Sequence, residues 1–125
     1  MNRGIWYQYN MPTVRIVPRI RVVSGRHAAL GPGKVDLLEN IARTGSLRKA
    51  AAAIDMSYMR AWMLLQRMNQ CFRKPLVVTK RGGANGGAAV VTDEGKAVLA
   101  LYRRMEAQSL RASQTVRKQL SGYLR

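Results

Sequence analysis

Residues 45–69, GSLRKAAAAIDMSYMRAWMLLQRMN, constrain this chain most, because they spell two short amphipathic helices joined by a turn of only a few residues. Ser46 stands just before the apolar positions Leu47, Ala50, Ala51 and Ile54. Its hydroxyl suits an N-cap, accepting from an amide that the first helical turn leaves unpaired. The run Ala50 to Ala53 carries little side-chain bulk, so another helix can approach closely. Asp55, Met56 and Ser57 form the connection, with Ser57 as the cap of the second helix. At 3.6 residues per turn Ala61, Trp62, Leu65, Met68 and Phe72 share one face, the expected core, while Met59, Arg60, Met63, Arg67, Gln70 and Lys74 fall roughly opposite. Such a pair, with cations on the outer face of its second helix, is the arrangement by which a helix-turn-helix reads a DNA major groove.

Charge points the same way. The formal net charge is +16, from 22 basic and 6 acidic residues, far beyond what solubility requires, so a polyanion is the expected partner. Sixteen of the basic residues are arginine, whose planar fork suits phosphates and guanine edges. Two stretches, 1–35 and 56–92, each hold six basic residues and no acid. Four of the six acids are expected in or beside first helical turns, where the helix dipole favours them. A single cysteine, Cys71, and a single histidine, His27, exclude an intrachain disulfide and give no metal-ligand cluster or acid–base pair. No catalytic residue, metal or cofactor is therefore expected, and the chain is not read as an enzyme. The apolar runs are far shorter than a membrane span and the N-terminus lacks the apolar core of a secretory signal, so a cytoplasmic protein is expected.

Residues 1–13 form an N-terminal extension with no pattern of its own. From Val14 to Val23 apolar residues alternate with Arg15, Arg19 and Arg21, a strand broken or kept to a sheet edge by Pro18. Those arginines fit an exposed strand face as well as a DNA contact. Residues 25–33 read as a turn-rich link, followed by a helix over 34–44 that stops at Gly45. The two-helix unit occupies about 46–72, and Pro75 closes it. Residues 76–91 then carry two β-prone stretches around the glycine-rich KRGGANGG, a hairpin with a basic tip and hence a wing. Thr92 caps a long helix running to about Leu120, with Val98, Leu101, Tyr102, Met105, Ala112 and Val116 in one stripe. So small a domain cannot bury that stripe along its whole length, so these residues are expected to form a homodimer interface. The fold class expected is mainly α with a small β-sheet (α+β). Residues 14–92 make a winged helix-turn-helix, and 93–125 a long dimerisation helix and tail.

Residues 33–105 resemble the N-terminal winged helix-turn-helix domain of ModE-type, molybdate-responsive transcription regulators of prokaryotes and, more distantly, LysR-type DNA-binding domains. The points of likeness are Gly45-Ser46, the alanine-rich helix, Met56-Ser57-Tyr58, Ala61-Trp62, Met68-Asn69, Gly86-Gly87-Ala88, Thr92 to Gly95 and Leu101-Tyr102. The resemblance implies a dimer on operator DNA, joined through the long helix and the N-terminal strand region. It implies that Ser57, Tyr58, Arg60 and Met63 belong to the recognition helix, and Lys80, Arg81 and the glycine tip to the wing. With Ser46, Met59, Arg67 and Asn85 these make up the expected DNA-binding set. Met63 and Arg67 stand where relatives often carry acids, which implies a different base preference. A chain of this length is expected to lack the family's C-terminal oxyanion-binding domain, so no effector is assigned. The function expected is sequence-specific regulation of transcription by a homodimer on an inverted-repeat operator. A non-specific architectural DNA- or RNA-binding protein is the alternative that charge alone would permit. A small-molecule or oxyanion sensor, or an adaptor, is the third.

Overall fold

The structure, a computed structural model, describes residues 14–80 and 88–125. Its elements run β1 (Val22–Ser24), β2 (His27–Leu30), α1 (Pro32–Thr44), α2 (Leu47–Ala53), α3 (Tyr58–Gln70), β3 (Val77–Lys80), β4 (Ala88–Val91), α4 (Asp93–Ala112) and α5 (Gln114–Ser121). This is the α+β class expected from the sequence, helices with two small antiparallel sheets. The chain divides into two compact units, Arg19–Arg103 and a second that includes 14–18 and Arg104–Arg125.

Local chemistry sets the helix ends of the larger unit. Pro32 opens α1, where its fixed φ fits and its missing amide costs nothing. Gly45 ends the helix at φ 68°, a left-handed conformation in which glycine avoids the Cβ clash, and its amide donates to the Ile41 carbonyl. Ser46 and Ser57 cap α2 and α3, accepting from the amides of Lys49 and Arg60, both at 3.1 Å. Between those helices Asp55 turns the chain at φ 53°, a conformation that Asp tolerates better than most residues.

One apolar core holds this unit together. Leu37, Leu38 and Ile41 of α1 meet Leu47, Ala50 and Ala51 of α2, Ala61, Leu65 and Met68 of α3, and Val77, Ala89 and Val91 of the second hairpin. The small side chains of Ala50 and Ala51 are fully buried, whereas Ala52 and Ala53 face solvent. Strands β3 and β4 pair from Val77–Val91 to Lys80–Ala88. The return strand is also tied to the α1–α2 junction, through a bridge between Ser46 and Ala88 and a bond from the Ala89 amide to the Gly45 carbonyl at 3.0 Å. The wing is thereby anchored beside the first turn of α2.

Several expectations are corrected. Of the stretch 14–23 only Val22 and Val23 enter a strand, which extends to Ser24. Its partner is His27–Leu30, inside the segment read as a link, with the turn at Gly25, where φ is 61°. The helix α3 ends at Gln70, well before Pro75, so Phe72 lies beyond it and is half-buried against the core. The single helix expected from Thr92 to Leu120 is two, α4 and α5, parted at Ser113. There the Ser113 hydroxyl donates to the Ser109 carbonyl at 2.6 Å, and Arg117 donates to the Leu110 carbonyl at 2.6 Å, so side chains occupy acceptors around the break.

Tyr102, expected at the dimer interface, is instead 2% exposed within its own unit, its hydroxyl donating to the Ile20 carbonyl at 2.7 Å. Val98 is half-buried against the same core. Asp36 and Glu39 serve no helix start. Both accept from Arg103 on α4, at 3.2 and 2.8 Å, and so fasten α4 to α1.

Candidate nucleic-acid interface

The side of α3 away from the core is built by the same periodicity that buries Ala61, Leu65 and Met68. Met59, Arg60, Met63 and Arg67 are all exposed on it, with Met59 65% and Met63 42% accessible. Trp62 corrects the sequence reading. Expected in the core, it is 43% exposed and flanks the outer face together with Tyr58. A large ring one step round the helix from Leu65 falls at the rim of the buried stripe. Among the described residues no carboxylate lies within ion-pair reach of Arg60 or Arg67, so both guanidinium forks can donate to an external acceptor.

The caps contribute as well. Ser46 and Ser57 each use the hydroxyl oxygen as acceptor for a helix amide, which leaves the O–H able to donate to a phosphate oxygen. Sequence reasoning missed Arg48, exposed on α2, whose guanidinium lies 4.8 Å from the centre of the Tyr58 ring. That distance suits a cation–π contact and holds a cation beside the first turn of α3. Only spatial proximity across the turn reveals this pair; no sequence spacing marks it.

Lys80 ends β3 and is exposed. Arg81 and Asn85 lie outside the described residues. Of the residues expected to meet DNA, the structure thus gathers Tyr58, Met59, Arg60, Met63 and Arg67 on one helix, places Ser46 and Ser57 at helix starts, and sets Lys80 on the wing strand. Of the expected dimer residues Leu101, Met105, Ala112 and Val116 are exposed, whereas Val98 and Tyr102 pack within their own unit.

Asn69 is a second residue that sequence reasoning gave no role. Its side chain accepts from the Leu76 amide at 2.9 Å and donates to the Val77 carbonyl at 2.9 Å, joining the end of α3 to the first wing strand. Thr92 works at the other end of the hairpin. Its hydroxyl donates to the Pro75 carbonyl at 2.8 Å and accepts from the Gly95 amide at 3.0 Å, capping α4. No helix among the described residues is long and apolar enough to cross a membrane.

Comparison with known proteins gives this geometry a family. Residues 33–96, more than half of the chain, match the bacterial regulatory helix-turn-helix protein, lysR family. The chain is 36% identical over 98 residues to a molybdenum transport protein ModE of Azotobacter vinelandii, covering 78% of this chain and 36% of that protein. It is 41% identical over 80 residues to a molybdenum-pterin-binding protein MopB of Rhodobacter capsulatus, covering 64% of this chain and 30% of that protein. With the DNA-binding transcriptional dual regulator ModE of Escherichia coli K12 it shares 38% identity over 71 residues, 57% of this chain and 27% of that protein. The chain spans about a third of the length of these curated relatives. The match takes in α1, α2, α3, the wing and the start of α4, and on it the chain belongs to the lysR family of bacterial regulatory helix-turn-helix proteins, which are DNA-binding regulators and not enzymes.

Proposed function

We propose that this chain is a sequence-specific, double-stranded DNA-binding transcriptional regulator that works in the cytoplasm as a homodimer. Helix α3 enters the major groove, and the wing follows the backbone or the minor groove. The observation that carries this reading is the outer face of α3, where Arg60 and Arg67 stand exposed beside Met59 and Met63. Net charge of +16 alone would serve a non-specific binder equally well. A capped, rigidly packed helix with mixed cationic and apolar side chains turned outward favours base reading instead.

Dimerisation is supported by apolar side chains left exposed on the C-terminal helices. Leu101 and Met105 lie one turn apart on α4, and Val116 and Leu120 one turn apart on α5. With Ala112, which is also exposed, they form the proposed contact. Sedimentation should give a dimer at micromolar concentration and a monomer for Leu101→Lys, a substitution at a site that is 62% exposed and so costs the fold little. A wild-type monomer at those concentrations would overturn the dimer.

Selection of bound duplexes from a random pool, followed by footprinting, tests the DNA reading. An inverted repeat should emerge, with half-site centres on one face of the duplex about one or two helical turns apart. A pool that fails to converge on any sequence would overturn sequence-specific recognition.

A further inference from the structure

The exposed surface of α3 carries apolar side chains along its N-terminal half. Met59 and Met63, four residues apart, form a ridge that points away from buried Ala61, Leu65 and Met68. Arg60 and Arg67 line one side of this ridge, and Tyr58 and Trp62 the other. An exposed apolar ridge calls for an occupant, and charge selects among the candidates. The segment 56–92 holds six basic residues and no acid, so whatever covers the ridge must also accept arginines beside it. Duplex DNA meets both requirements.

Resting on the reading of α3 as the groove-entering helix, we infer that Met59 and Met63 recognise thymine 5-methyl groups, and that the preferred half-site carries thymines at the positions they face. In a major groove the thymine methyl is the one protruding apolar group; apart from flat ring C–H positions, the other base-edge groups are hydrogen-bond donors or acceptors. A methionine thioether is soft and unbranched, and adapts its shape to a methyl. Set against a cytosine amino group or a guanine oxygen it offers no adequate partner, so the ridge favours thymine and also disfavours G·C pairs. The two side chains originate about 6 Å apart along the helix axis, at about 1.5 Å per residue. The thymines they meet therefore lie within about two base-pair steps of each other. Arg60, beside the ridge, is left to a guanine edge or a phosphate.

The test uses the full chain and the duplex enriched by selection, with each thymine replaced in turn by deoxyuridine, which removes only the methyl group. At one or two positions per half-site the affinity should fall about fourfold, the worth of one buried methyl-sized group. In Met59→Ala and Met63→Ala that position-specific loss should vanish, while the slope of affinity against salt stays that of the parent, because no charge is removed. Both side chains are exposed, so circular dichroism should match the parent. Uridine duplexes bound as tightly as the parent at every position would overturn the inference while leaving sequence-specific binding intact. So would methionine variants that keep the full uridine penalty. A chain that enriches no duplex at all would instead overturn the DNA reading itself, and the inference with it.

Discussion

Asn69 and Val77 bond to each other twice: the Asn69 Nδ2 donates to the Val77 carbonyl at 2.9 Å, and the Val77 amide donates to Asn69 Oδ1 at 3.3 Å. A side-chain amide carries an acceptor and a donor on separate atoms, so it satisfies both backbone partners at once, and here it welds the last turn of α3 to the first wing strand. Asn69→Ala should lower unfolding stability by about 1 to 3 kcal/mol in urea titration, because backbone groups of Leu76 and Val77 lose their partner. Asn69→Asp should do no better than Ala. Its carboxylate can accept from the amides but cannot donate to the Val77 carbonyl, which it would face with a like charge.

Gly95 sits where α4 passes the start of the wing. A Cβ there would overlap the Leu76 carbonyl oxygen and stand 2.7 Å from Val91 Cγ1. Glycine to alanine in a helix ordinarily gains about 1 kcal/mol, but a clash with backbone that cannot move outweighs that gain. Gly95→Ala should therefore lower the melting temperature, whereas Gly33→Ala in α1, where a Cβ meets nothing within 4 Å, should raise it. Equal shifts in the two variants would show that the close approach at Leu76 is not felt.

The contact of Arg48 with Tyr58 gives a test that charge alone would not predict. If the ring holds the guanidinium beside the start of α3, Tyr58→Leu should weaken DNA binding partly through Arg48. The loss in the double variant with Arg48→Ala should then be smaller than the sum of the two single losses, by about 0.5 to 1 kcal/mol, the usual strength of an exposed cation–π pair. Additive losses would mean that the two side chains act independently.

What the sequence made legible was local. Ser46 and Ser57 announce helix starts, Gly45 announces a stop, and the spacing of Leu47, Ala50, Ala61 and Leu65 places the core of the helix pair, because each signal acts within one or two turns. What stayed hidden depends on partners distant in sequence. Tyr102 falls in an apolar stripe that suggested a dimer contact, but Ile20 supplies an acceptor for its hydroxyl within the same unit. Asp36 and Glu39 gave no sign in the sequence of the partner that Arg103 of α4 supplies. The strand His27–Leu30 escaped because Ala28 and Ala29 carry little β propensity and no alternation. Trp62 shows the limit of periodicity, which marks a direction on a helix but not the width of the stripe that is covered. Arg81 and Asn85 remain expectations from the sequence.

Recognition by α3 is tested most directly by competition at fixed salt, comparing the selected operator with random duplex for the wild type and for Arg60→Ala. The wild type should prefer its operator by at least about a thousandfold. Arg60→Ala should lose about 1 to 3 kcal/mol on the operator and relax the preference at one base pair of each half-site, with random DNA weakened far less. A wild type that binds both duplexes within about tenfold of each other, or an Arg60→Ala that weakens both equally and keeps every base preference, would contradict the account.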